Sequence, residues 1–115
     1  MRRGDVCLID LEPARGSAAN KRRPAVIVSN DRANASADRL GRGVVTIVPI
    51  TSRTAHVFAF HVLLPAGTSG LRVDSKAQAE QVRSVALARI GSVIGKLSPS
   101  LMRQLDEALR LHLQL

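Results

Sequence analysis

The sequence has no tryptophan, no tyrosine and only two phenylalanines in 115 residues. Its core must therefore be aliphatic. Nucleic acid bound here could not lie on the broad aromatic platforms of RRM or OB-type modules. Cysteine is almost absent: with Cys7 alone no internal disulfide can form, and its apolar strand-like setting marks it as a small buried hydrophobe. His56, His61 and His112 form no recognisable ligand pair and no His/Cys cluster has metal spacing, so neither a metal nor a cofactor is expected. His112 falls on a helical pattern and reads as a helix residue. No apolar run approaches a transmembrane span, and no basic amphipathic helix suits a membrane surface. Met1-Arg2-Arg3-Gly4-Asp5 does not open a signal peptide, so a cytoplasmic protein without a membrane partner is expected.

Acidic residues are scarce as well. Nine Asp and Glu stand against 17 Lys and Arg, for a net charge of +8. Only Lys21, Lys76 and Lys96 among the cations are lysine. Arginine-rich charge favours phosphate, so RNA, DNA or an acidic protein lead the candidate partners. The 45% hydrophobic content excludes a disordered chain, and the length suits one domain, residues 1–115.

Along the chain, Val6 to Leu11 reads as a first strand with Asp10 turned from the core. Glu12 to Asn20 is loop chemistry, long for a hairpin, and loops of that length tend to be functional. Pro24 to Ser29 is a second strand. Asn30 to Gly43 reads as a loop with one helical turn. Val44 to Ile50 is a third strand, with Pro49 marking an edge or bulge. Val57 to Leu64 reads as a fourth strand. Lys76 to Ala86 reads as a strand against its helix propensity, and Leu87 to Lys96 as a bent strand allowed by Gly91 and Gly95. Ser98-Pro99 then opens a helix with Leu101, Leu105, Leu109 and Leu113 on one face. Five or six short strands and one terminal helix predict a small curled antiparallel sheet or open barrel.

The chain is organised around Lys21 to Asp31, KRRPAVIVSND. Three cations meet a proline and a β-branched run. Proline pushes the preceding residue into extended backbone, so Arg23 is expected at the mouth of a core strand. A guanidinium held there can grip a phosphate through paired donors; an ordinary solvated loop edge is the plainer alternative.

The Arg3-Gly4-Asp5-Val6 opening, Asp10-Leu11, Pro13, Gly16-Ser17, Arg23-Pro24, Asn30-Asp31, Ile50-Thr51, Asp74-Ser75, Glu80-Gln81, Arg83 and the closing helix together resemble the MazF/PemK family of toxin endoribonucleases. The correspondence runs in order along nearly the whole chain. The resemblance implies a mainly β fold, a small SH3-like β-barrel with a C-terminal α-helix, usually a homodimer. It implies metal-independent, sequence-specific cleavage of single-stranded RNA (mRNA) and a cognate antitoxin protein that blocks the site. Carried over by position, the family's catalytic arginine and threonine fall on Arg23 and Thr51, its loop serine on Ser17, and its EQ pair on Glu80 and Gln81. Cys7 replaces a common aromatic and Ser84 a common threonine. Arg32 to Gly43 and Arg53 to Leu64 match poorly, which leaves the RNA sequence open.

Metal-free RNA cleavage can use the adjacent 2′-OH as nucleophile, with Arg23 and Thr51 as donors to the phosphate. Ser17, Lys21, Arg22, Ser52, Arg53 and Gln81 are candidate RNA contacts. Glu80 could orient Arg23, read a base, or form a structural ion pair. Arg72, Lys76 and Arg83 add to the field. Two other functions stay open on sequence alone: a non-enzymatic toxin of the same fold that inhibits a protein such as a topoisomerase, and an RNA-binding module that does not cut.

Overall fold

A computed structural model of the chain describes residues 1–11 and 22–115. Its strands are β1 (Asp5–Asp10), β2 (Arg22–Ile27), β3 (Val44–Thr51), β4 (His61–Leu64), β5 (Ser75–Gln78), β6 (Arg83–Ala86) and β7 (Ile90–Lys96). Helix α1 (Asp31–Leu40) links β2 to β3, and α2 (Pro99–Leu113) follows β7. All pairings are antiparallel, in the order β4-β5-β3-β2-β1-β7, with β6 also on β3. The fold is thus mainly antiparallel β with a C-terminal helix, and no ladder joins β4 to β7 among the described residues. No helix among them is long and apolar enough to cross a membrane.

Strand β3 is where the sheet changes partners. Its Ile47, Val48 and Pro49 pair with Ile27, Val26 and Ala25 of β2. On its other edge Val44 to Ile47 pair with β6, and Ile50 and Thr51 pair with β5. Pro49 falls in the gap between those two ladders, where the missing N–H leaves no pairing unmade on that edge. The proline signal in the sequence therefore marks a change of partner.

Side chains alternate along these strands, and both faces are buried. Val6, Val26, Val48 and Ile50 face a core closed by Leu105 and Ala108 of α2. Cys7, Ile9, Ala25, Ile27, Val45, Ile47 and Val85 fill a second core on the other face. Phenylalanine belongs to neither buried set; both cores are aliphatic, as the composition requires.

The stretch after Asn30 is a ten-residue helix rather than a loop. The Asn30 side chain accepts the Ala33 N–H at 2.8 Å, and Gly41 closes the helix in the left-handed region at φ 66°. Those signals were in the sequence, but the helix hides its core contact in a polar residue. Asn34 is buried; its amide donates to Ser29 O and its carbonyl accepts the Ser29 hydroxyl. Ser29 Oγ in turn accepts the Thr46 N–H, so α1 is tied to the β2–β3 junction.

Three other expectations change. Residues 57–60 are not strand; β4 is only His61–Leu64, and Val57 and Phe58 are exposed. The expected strand from Lys76 to Ala86 is β5, a 3-10 turn at Ala79–Gln81, and β6. The turn moves pairing from β5 to β6 on the same edge of β3. Leu87 to Lys96 begins with a further 3-10 turn, Leu87–Arg89, before β7. Helix α2 has the expected start, with Ser98 accepting the Leu101 N–H at 3.2 Å and Pro99 in the first turn.

The Arg3-Gly4-Asp5-Val6 opening is a structural clamp. Arg3 pairs with Asp106 of α2 at 2.7 Å and donates to Val28 O, while its N–H and Arg2 both engage Asp31. The backbone donation from Arg3, with the Arg2 charge beside it, holds the Asp31 carboxyl below its ordinary range.

Candidate nucleic-acid interface

Arg23 and Thr51 reach one site because of strand register. Ala25 lies opposite Pro49 in the β2–β3 ladder. Strand alternation two residues on turns Arg23 and Thr51 to the face of Ala25 and Pro49, and both line the same grooves. Pro24, between Arg23 and Ala25, keeps the arginine's backbone extended. Ile9 of β1 lies on the other side of Arg23.

Two grooves meet at this pair. One, of about 390 Å³, is lined by Leu11, Arg23, Pro49, Ile50, Thr51, Arg53, Gln78, Gln81 and Arg83. The other, of about 420 Å³, is lined by Arg23, Pro24, Ile50, Thr51, Ser52, Arg53, Leu71, Arg72, Val73 and Ser75. Arg23, Ile50, Thr51 and Arg53 belong to both. A larger depression of about 580 Å³ runs between residues 59–62 and α2, away from this chemistry.

Among the described residues, neither groove has an Asp or Glu in its lining. The guanidinium groups of Arg23, Arg53, Arg72 and Arg83 make no hydrogen bond or ion pair with any described residue. Arg2, Arg3 and Arg110, by contrast, are held by carboxylates. Four guanidinium groups without a described partner concentrate positive field there. Thr51 Oγ1 accepts the Arg53 N–H at 3.2 Å. Its own proton is thus left to donate to a ligand.

The structure separates the remaining sequence candidates. Ser52, Arg53 and Gln81 line the grooves with Arg23 and Thr51. Arg22 does not: it is the next residue of an extended strand and points to the opposite face. There it lies over Gly91 of β7, where an added Cβ would come within 2.5 Å of Arg22 Nη1 and 2.7 Å of Leu8 O. Gly91 is required by that approach. Glu80 also turns from the grooves; its Oε2 meets His61 Nε2 at 3.0 Å, the structural pairing among its three expected roles. Ser17 and Lys21 lie outside the described residues.

Gln78, Arg72 and Arg83 were not sequence candidates for direct contact, although both arginines were expected to add field. Gln78 ends β5, two residues beyond Lys76, which pairs with Thr51. Only strand order could have exposed that proximity. Cys7 lies in the second core, and burial, with Asp5 nearby, pushes its thiol up to about 11, so it offers no nucleophile. Among the described residues no three His, Cys, Asp or Glu side chains converge on a metal position.

Comparison with known proteins agrees with this picture. Residues 2–113 match the family described as PemK-like, MazF-like toxin of type II toxin–antitoxin system. The chain is 63% identical over 115 residues to the endoribonuclease MazF9 of Mycobacterium tuberculosis (strain ATCC 25618 / H37Rv), covering 100% of this chain and 98% of that protein. In structure it resembles a mycobacterial endoribonuclease solved in complex with its cognate antitoxin, with a TM-score of 0.78 at 23% identity over 100% of this chain and 96% of the other. MazF from Deinococcus radiodurans gives a TM-score of 0.77 at 24% identity, covering 100% and 97%. At those identities the two solved structures bear on the fold.

Proposed function

The chain belongs to the PemK-like, MazF-like toxins of type II toxin–antitoxin systems, and on that footing we propose how its residues cut RNA. It is an endoribonuclease homologue acting as a single toxin domain over residues 1–115, on single-stranded RNA in the cytoplasm. The observation that carries the reading is that Arg23 and Thr51 line the same two grooves, whose described lining holds four arginines without a described partner and no carboxylate. The pairing of β3 with three partner strands supports an SH3-like barrel as the finer description of the fold.

In the proposed reaction the 2′-oxygen attacks the adjacent phosphorus and gives up its proton. The bond to the 5′-oxygen breaks, and that oxygen takes a proton. The products are a 2′,3′-cyclic phosphate and a 5′-OH. Arg23 directs two N–H groups at the nonbridging oxygens, whose charge grows in the transition state. Thr51 donates its hydroxyl proton to the same phosphate. Arginine's high pKa makes it a weak proton acceptor, so its main role is electrostatic. The step needs no metal, because the guanidinium supplies the charge and the substrate supplies the nucleophile. DNA, lacking the 2′-OH, binds without being cut.

Ser52, Arg53, Gln81, Arg83 and Gln78 contact the strand on either side of the cut, and Ser17 and Lys21 are further RNA contacts on the strength of the sequence. Arg22 adds field from the adjoining face. A cognate antitoxin competes for the same grooves, and the working form is a homodimer. The relatives' name of endoribonuclease favours cutting over inhibition of a protein target. The test is incubation of folded protein with long single-stranded RNA in EDTA. Cutting is expected; intact RNA at high protein concentration would remove the reading.

A further inference from the structure

The two phenylalanines of the chain and two of its three histidines lie within residues 56–61. They form one ring cluster. His56 stacks on Phe58 at 6.3 Å and 23°, Phe58 meets Phe60 edge-on at 5.5 Å, and Phe60 lies 4.5 Å from His61. The cluster is not core: Phe58 is 57% exposed.

The backbone carrying Phe58 is anchored at both ends by polar groups withdrawn from water. The buried Lys76 ammonium donates to the His56 carbonyl. The His61 ring, 4% exposed, accepts the Phe58 N–H at Nδ1 at 3.1 Å. Its proton therefore sits on Nε2 and is donated to Glu80 Oε2. The other Glu80 oxygen is buried without a partner. Desolvating a lysine, a histidine and a carboxylate is unfavourable, and its visible result is an aromatic ring held in solvent. The same segment leaves directly from Thr51 and Arg53, contains no acidic residue from 51 to 60, and puts Phe58 at most about 17 Å along the chain from Arg53.

We propose that Phe58, backed by His56, is a stacking platform for an RNA base a few nucleotides from the cut. This rests on the RNA-cleaving reading above. It is a single-residue platform, distinct from the multi-aromatic surfaces the composition excludes. The ring supplies sequence-tolerant stacking, while Arg23 and Thr51 hold the phosphate. Lys76 and His61 are positioning residues for it.

The absence of Trp and Tyr makes the test direct. Phe58→Trp places the only indole of the protein on the platform. Titration with a mixed-sequence, uncuttable 2′-O-methyl RNA should quench its emission, and polyphosphate of equal charge should not. In cleavage assays Phe58→Ala should raise KM about tenfold or more, with kcat and sedimentation unchanged. Phe58→Trp should restore KM and Phe58→Leu should not. The proposal is overturned if RNA binds with no change in emission, or if Leu serves as well as Phe. It is equally overturned if Phe58→Ala dissociates the oligomer or releases the antitoxin while KM stays constant, which would make the ring a protein contact. Failure of wild-type protein to cut any RNA would count against the nuclease reading alone, because the emission titration uses no cleavage.

Discussion

Arg23→Ala should separate catalysis from stability more sharply than any other substitution. The side chain is exposed at the start of β2 and bonds to no described residue. Its removal therefore leaves no orphaned partner, and the folding free energy should change by no more than about 0.5 kcal/mol. For a domain of this size that is about 2 °C in melting temperature. Catalysis should respond very differently. The guanidinium offers two directed donors to the oxyanion, and it lines both grooves beside Thr51. Loss of one such donor slows related reactions by about 10²–10³, so loss of both should reach or exceed about 10³. Arg23→Lys keeps the charge but not the fork and should fall between the two. The assay is the initial rate on a long single-stranded RNA in EDTA, beside a thermal melt of the same preparation. A wild-type rate in Arg23→Ala would remove the residue from the mechanism. A melting temperature lowered by ten degrees or more would show that the side chain carries structure, and the free-cation argument would fail.

Thr51→Val should lower kcat about tenfold or more while the melting temperature holds, and Thr51→Ser should recover most of the rate; equal rates for Val and Ser would exclude the hydroxyl. Asn34→Ala should cost about 1–3 kcal/mol in chemical denaturation, because Ser29 O loses its donor and the half-buried Ser29 hydroxyl its acceptor; an unchanged denaturation midpoint would show that water replaces the amide freely. Cys7 should resist thiol reagents at pH 8 until the protein unfolds, since the buried sulfur is out of their reach. Its folded-state pKa of about 11 lies above the ordinary 9.0. Below pH 9 the thiol is neutral folded or unfolded. Between 9 and 11 only the unfolded chain loses the proton, so stability should fall across that window, and Cys7→Ala should lack that part of the slope. With no tyrosine in the chain, few other groups titrate there.

Much of the site was legible because proline and strand period act locally. Arg23-Pro24 before Val26-Ile27 fixes an arginine at a strand mouth, and the apolar run ending at Thr51 fixes a hydroxyl at a strand end. What one-dimensional reading could not supply is register. Arg22 and Arg23 look equivalent in sequence, yet extended backbone sends them to opposite faces. Glu80 looked like a site residue, yet a turn between β5 and β6 hands it to His61. Residues 57–60 looked like strand because Val and Phe favour strands, but the Phe58 N–H is taken by a histidine ring and the ladder starts only at His61. Helix α1 was missed because its two buried positions are an asparagine and a small alanine, Asn34 and Ala37, which leave no apolar stripe for periodicity to find. Gln78 reached the groove through the β3–β5 pairing, a contact between segments far apart in the chain.

The most direct measurement is the chemistry of the ends produced from a short RNA carrying one mapped cut site. Convergence of Arg23 and Thr51 on a phosphate attacked by its own ribose yields a 2′,3′-cyclic phosphate and a 5′-OH in EDTA, and a single 2′-deoxy replacement at the cut nucleotide stops cleavage without weakening binding more than severalfold. Ends bearing 5′-phosphate, or cleavage of the deoxy-substituted strand at the normal rate, would contradict it.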